Sequence, residues 1–204
     1  MPTQEHWEKV YATKAENERS WFQEYPKTSI DFVVGVDLPK NSAIIDVGGG
    51  DSHFVDVLLD LGYTNVWVLD ISSHAIERAI TRLGERASSV HWVVGNILDF
   101  EPQTTFAFWH DRAAFHFLTT PEQISTYIAL AERAISPNGY MMLGTFSEEG
   151  PAKCSGLDIK QYSTTSIKEL FARGFDRYVC MELVHTTPCA TTQNFVFCRF
   201  QRSS

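Results

Sequence analysis

Residues 43–51 read Ala-Ile-Ile-Asp-Val-Gly-Gly-Gly-Asp, and the fold is decided there. A short apolar run of strand length leads to an acid, Asp46, and then to Gly48, Gly49 and Gly50. The next residues, 52–62, carry Phe54, Val55, Leu58 and Leu59 at helical spacing. A strand that runs through glycines into a helix start makes a ligand loop. Backbone can approach closely where no Cβ intervenes, and free N–H groups emerge from the first helical turn.

Working outward, the same alternation recurs. The first strand spans 42–47. A second spans 65–69 and ends at Asp70, followed by a helix through 75–83 that Ser72 or Ser73 can cap. A third strand, 90–94, runs into Gly95-Asn96-Ile97, and a fourth, 106–109, into His110-Asp111-Arg112. Thr120-Pro121-Glu122 opens a helix over 121–135, and Pro137-Asn138-Gly139 turns the chain into a fifth strand, 140–146. Short buried strands alternating with amphipathic helices give an α/β fold with a parallel sheet and right-handed crossovers. After 146 the pattern changes to a long loop, 147–162, a helix over 163–172, and two β-rich runs, 177–185 and 194–201. These close the sheet as a hairpin whose last strand is antiparallel. Before the core, a helix spans 28–36. The arm of residues 1–26 carries Trp7, Tyr11, Trp21, Phe22 and Tyr25, with Trp7 and Tyr11 one helical turn apart. Rings this numerous bury themselves, either as an anchor on the domain surface or as a lid over a ligand.

The chain has 204 residues with a net charge of −8, which suits one acidic domain and argues against a general nucleic-acid binder. No apolar run approaches the ~20 residues of a membrane span, and residues 1–8 lack a signal-peptide pattern, so the expected compartment is the cytoplasm. The four cysteines, Cys154, Cys180, Cys189 and Cys198, form no Cys-x-x-Cys pair; free thiols and no metal site are expected.

Two ligand classes compete for the loop. A dinucleotide site wants Gly-x-Gly-x-x-Gly, but His53 stands at the third glycine position. Asp46 and Asp51 flank the loop and would repel a diphosphate, whereas they suit a ligand carrying an ammonium or sulfonium group. Asp46 either touches that ligand or caps loop N–H groups. Asp70, 24 residues after Asp46, can accept two hydrogen bonds from a ribose diol or cap the following helix.

With these residues in hand, the chain resembles the class I S-adenosylmethionine-dependent methyltransferases. Asp46-Val47-Gly48-Gly49-Gly50 is similar to that family's acid-x-Gly-x-Gly signature, with Ser52 where a third glycine is frequent. His6-Trp7-Glu8-x-x-Tyr11, Ser20-Trp21-Phe22 and Asp111–Leu118 are similar to segments of small bacterial members and, more distantly, of protein-lysine methyltransferases. The resemblance covers about residues 28–202. It implies a single domain over 1–204 with a three-layer Rossmann-like fold and a seven-stranded, mostly parallel sheet. It implies S-adenosylmethionine as cofactor, with S-adenosylhomocysteine as product. The implied cofactor contacts are Asp46, Gly48, Gly49, Gly50, Asp70, Ile71, Asn96, Ile97 and Asp111, joined by Tyr11 and Trp21 of the arm. Asn96 stands where the family places an acid or amide against the adenine amino group.

Methyl transfer from a sulfonium needs alignment and water exclusion, and a base only if the acceptor arrives protonated. His110, Asp111 and His116 follow the fourth strand and are the base candidates. His116 sits between Phe115 and Phe117, where a packed core histidine is the competing reading. Arg112 is structural or binds an anion, and Cys154 is a small packing residue. No Asn/Asp-Pro-Pro-Tyr follows the fourth strand, so nucleic-acid amino groups lose support as acceptors. A small molecule or a protein side chain remains, with a monomer or homodimer as the working state and no nucleic-acid or membrane partner. A nicotinamide-dependent oxidoreductase and a non-catalytic cofactor-binding module are the alternatives.

Overall fold

The structure, a computed structural model, describes residues 3–204. Helix α1 (Gln4–Thr13) opens the arm, and α2 (Lys27–Val34) leads into β1 (Ile44–Val47). The chain then alternates through α3 (Phe54–Asp60), β2 (Val66–Asp70), α4 (Ser73–Leu83), β3 (Val90–Val94), β4 (Phe106–Arg112), α5 (Pro121–Ala134) and β5 (Ile135–Phe146). A small hairpin, β6 (Lys153–Cys154) and β7 (Leu157–Asp158), interrupts the loop after β5, and α6 (Thr164–Phe171), β8 (Phe175–Thr186) and β9 (Thr192–Arg202) follow.

The seven-stranded sheet has the order β3-β2-β1-β4-β5-β9-β8. Strands β3, β2, β1, β4 and β5 are parallel, and β9 enters antiparallel beside β5 with β8 outside it. Helices cover both faces. On one side Ile124, Tyr127 and Leu130 of α5 and Phe171 of α6 bury against Trp109 and Leu143. On the other, Ile30 and Val33 of α2, Phe54 and Leu58 of α3 and Ile76 of α4 bury against Val68 and Phe108. Fully buried parallel strands need apolar runs rather than alternation, and Ile44–Val47 is buried at every position. The chain reverses between β2 and β4, on either side of β1, and ligand crevices form at such a switch point.

The expected elements stand, with three differences. Strand β4 continues to Arg112, because Ala113 N donates to Gly144 O and His110, Asp111 and Arg112 keep register with β5. Those residues are strand rather than loop, which fixes their side chains to alternate faces. The β5 ladder likewise begins at Ile135, ahead of the Pro137–Gly139 turn. Finally, Cys180 and Cys198 lie opposite each other in the β8–β9 register, with Cα atoms 4.1 Å apart, and form a disulfide. That corrects the expectation of four free thiols, which holds for Cys154 and Cys189. Directly opposed residues of an antiparallel pair come close enough to bridge, a proximity that only the register reveals.

Candidate functional site

The carboxyl ends of β3, β2, β1 and β4 open onto one cavity of about 80 Å³. Its floor is Val47, Gly48, Leu69, Asp70, Ile71, Gly95 and Ile97, and its far wall is Arg112, Ala113, Ala114 and Phe117. The cover is Trp7, Tyr11 and Trp21 of the arm, with Cys154 of the β6–β7 hairpin.

The glycine loop is shaped by what lies against it. Gly48 has φ +66 and Gly50 has φ +53, in the left-handed region that other residues enter at a cost. A methyl on Gly48 would meet Ala114 Cβ, one on Gly49 the Asp46 carboxylate, and one on Gly50 the Tyr11 hydroxyl. Each glycine therefore makes room for a specific neighbour as well as for backbone curvature.

Asp70 lines the cavity and is buried. Ser72 N donates to its Oδ1 at 2.8 Å. Burial raises its pKa to about 7, helped by the charges of Asp46 and Asp51 and opposed by the amides of Ser72 and Gly50. A carboxylate held at a strand end with hydrogen-bonding capacity toward the cavity suits a vicinal diol. Gly95 and Ile97 continue the lining beyond it, while Asn96 turns its side chain inward to accept from Leu98 N at 3.0 Å and caps a single helical turn. Asn96 thus acts as a turn residue, and Gly95 and Ile97 form this end of the cavity.

The acids of the loop have protein partners. Asp46 accepts from His110 Nδ1 at 2.6 Å, and His110 Nε2 pairs with the Ser29 hydroxyl at 2.8 Å. This chain has the connectivity of a nucleophilic triad, but Ser29, His110 and Asp46 are all buried beneath the cavity, and His110 stacks on Phe54. It is a structural brace between α2, β1 and β4. Asp51 is held by a bidentate pair with Arg19, at 2.9 and 2.6 Å, and by Arg78 Nε at 3.2 Å. The expectation that Asp51 receives a cationic ligand is corrected: its charge is spent on the arm.

Asp111 and His116 are corrected as well. Trp109 Nε1 donates to the Tyr127 hydroxyl, which donates to Asp111 Oδ2 at 2.6 Å, while Asp111 Oδ1 accepts from the amides of Ala114 and Phe115. Burial raises the pKa of Asp111 to about 6 against those donors. Every oxygen is used to fix the turn after β4, so Asp111 shapes the cavity wall from behind. His116 is fully buried, stacks on Phe146 with ring centroids 4.8 Å apart, and has no hydrogen-bond partner on either nitrogen. Burial drives its pKa down to about 3, and Phe117, its neighbour, is the residue that reaches the cavity. A base at position 116 has neither the access nor the basicity.

Sequence reading missed how the arm is fastened. Glu8 accepts from the Ser72 hydroxyl, the amides of Ser73 and His74, and the His74 ring, so it caps α4 from another element. Arg78 donates to the carbonyls of Tyr11 and Lys14, Arg112 Nη1 to that of Trp21, and His185 Nε2 to that of Ser20. The Arg19 guanidinium lies 4.8 Å from the Tyr11 ring centroid. The signal available was the helical spacing of Trp7 and Tyr11, whose rings do pack on Trp21.

Comparison with known proteins places this geometry. Residues 44–139 match a family model described as a methyltransferase domain. A Mus musculus protein named EEF1A lysine methyltransferase 2 is 24% identical over 164 residues, covering 70% of this chain and 65% of that protein. The chain thus spans just under two thirds of that relative's length. The structure of the N-methyltransferase NodS from Bradyrhizobium japonicum WM9 with S-adenosyl-l-homocysteine superposes with a TM-score of 0.75 at 16% identity, covering 97% of this chain and 98% of that one. A structure from work on converting a disulfide bond into a thioacetal group during echinomycin biosynthesis superposes at 0.76 with 19% identity, covering 98% and 92%.

Proposed function

We infer, from the match of residues 44–139 to a methyltransferase-domain model and from a sheet that superposes on solved methyltransferase structures, that this protein is an S-adenosylmethionine-dependent methyltransferase acting on an amino group of a small molecule or protein side chain. The observation that carries this is the run of one cavity across Gly95–Ile97, Asp70, the glycine loop and Arg112. The residues present fit the cofactor. Gly48 brings bare backbone to the cavity at a left-handed φ, Asp70 offers a carboxylate to the ribose diol, and Ile71 and Ile97 give apolar walls for the base.

Bound S-adenosylmethionine supplies a methyl group already activated by its sulfonium. This chain's residues contribute position and dryness. Trp7, Tyr11, Trp21 and Phe117 form an aromatic wall around the cavity. Such walls withdraw water from an amine, which disfavours the ammonium and lowers its pKa toward the neutral nucleophile. That fits a lining with no histidine in it. The names of the mouse and NodS proteins, a lysine methyltransferase and an N-methyltransferase, support nitrogen as the acceptor atom. At about 80 Å³ the cavity is far below the roughly 300–1,000 Å³ of small-molecule sites, so the arm swings outward for ligands to enter and then closes over them.

Calorimetry with S-adenosylhomocysteine and with NAD tests the cofactor. Binding of the first and none of the second is expected; binding of NAD alone overturns the reading. Transfer of radiolabel from S-adenosylmethionine to a panel of amines, thiols, carboxylates and whole-cell protein then identifies the acceptor. Labelling of thiols or carboxylates with amines left unlabelled overturns the choice of nitrogen.

A further inference from the structure

Arg112 ends β4 at the rim of the cavity and is the only cationic side chain among the described residues that line it. Its Nη1 donates to Trp21 O at 2.9 Å. Its Nη2 is buried and has no hydrogen-bond partner. No carboxylate among the described residues lies within ion-pair distance of it, although nearby Arg19 has Asp51. Burial lowers the Arg112 pKa to about 10, against the pull of the Asp46 charge, which leaves it protonated at neutral pH. The half-buried guanidinium also lies 5.8 Å from the Phe195 ring centroid, and its buried, unpartnered fork nitrogen is costly unless an anion completes it.

The sheet order says which anion. The cavity crosses the ends of β3, β2, β1 and β4 in that order. At strand spacings of roughly 4.8 Å, three intervals span about 14 Å, the scale of an extended adenosyl amino acid. With the base at Gly95–Ile97 and the diol at Asp70, the amino-acid end comes to β4.

We propose that Arg112 Nη2 receives the carboxylate of the cofactor's amino-acid moiety, while Nη1 keeps hold of the arm through Trp21. This rests on the cofactor reading above. One guanidinium then joins ligand and cover, so a ligand lacking the carboxylate binds more weakly and leaves the arm less firmly closed. Arginine suits this better than lysine because its planar fork serves two partners at once.

The experiment compares S-adenosylhomocysteine with its decarboxylated analogue by calorimetry, in the wild type and in Arg112→Met and Arg112→Lys. The wild type should prefer the carboxylate-bearing ligand by about 10- to 100-fold, the scale of a charge-assisted hydrogen bond. That preference should collapse to near unity in Arg112→Met and be partly restored in Arg112→Lys; loss of the Trp21 tie weakens both ligands alike and cancels in the ratio. A wild type that binds both ligands equally overturns the proposal without any variant. So does a full preference that survives in Arg112→Met. A wild type that binds neither ligand refutes the cofactor reading itself, a separable outcome.

Discussion

The arm over residues 3–25 and the segment 147–162 both reach the cavity, and they are fastened in different ways. The segment is tied by backbone: β6 pairs with β7, Ser147 bridges to Tyr162, and Lys160 N donates to His116 O. It gives the cavity one buried residue, Cys154, whose thiol burial pushes up to about 11. The arm is tied by side chains, and most of those ties are charged: Arg19 to Asp51, Glu8 to the start of α4, Arg78 to two carbonyls, Arg112 to Trp21. Backbone pairing is nearly indifferent to pH and salt. Charged side-chain ties can be made and released as units, which is what a cover must do if ligands enter beneath it. In the function proposed above, the segment serves as a wall and the arm as a door.

The hardest test of that contrast is Asp51→Ala. It leaves the fully buried Arg19 without its partner and should lower stability by about 3–5 kcal/mol in urea unfolding, with proteolysis starting in the arm. A loss below about 1 kcal/mol would mean that the arm is held by its rings alone. Next comes Asp70, under the door. Asp70→Ala should weaken S-adenosylhomocysteine binding by about 1–3 kcal/mol. Its raised pKa, about 7, also gives a signed pH dependence. The folded state holds this proton more tightly than the unfolded chain, so stability from Asp70 is fully present below about pH 4 and is lost as pH rises through 7. The ribose diol prefers the ionised acid, so ligand affinity should rise over that same window and level off above it. An affinity that falls with rising pH would remove Asp70 from the diol.

A matched pair compares the two covers directly. Gly50→Ala forces a methyl toward the Tyr11 hydroxyl at φ +53, whereas Gly156→Ala enters open space at φ +80. Both carry left-handed strain of about 1–2 kcal/mol, but only Gly50→Ala should also loosen the arm, seen as faster cleavage within residues 3–25. Equal cleavage in the two variants would erase the distinction. The smallest effect belongs to Glu8→Gln, about 1 kcal/mol or less from a helix start that loses its anionic cap. Burial opposes the ionised form of Glu8, but bonds from His74, Ser72 and the Ser73 and His74 amides overcome it and lower the pKa to about 2. This contribution is present above the ordinary glutamate range and is lost as pH falls from about 4.5 toward 2, the reverse of Asp70. A variant that keeps the wild-type acid profile would show that Glu8 does not carry it.

The sheet was legible because its strands are short apolar runs between glycine and proline punctuation, and strand spacing carried Asp70 into the cavity with Gly48, Ile71 and Ile97. The role of Asp46 was not legible. An acid at a strand end reads the same whether it faces a ligand or a histidine from the next strand, and register alone sets His110 beside it. His116 and Asp111 misled for a related reason. Residue type advertises basicity, whereas burial and the donors from Tyr127, Ala114 and Phe115 decide it. Long-range pairs such as Arg19–Asp51 and Cys180–Cys198 leave no local pattern at all.

The bond from His185 to Ser20 joins residues 165 positions apart, and His185 sits on β8, the outermost strand. Chains are made from the amino end. The arm therefore leaves the ribosome well before this latch. Until β9 has emerged to seat β8 against β5, this latch has no strand to carry it, whereas the ties to Asp51 and α4 can already form.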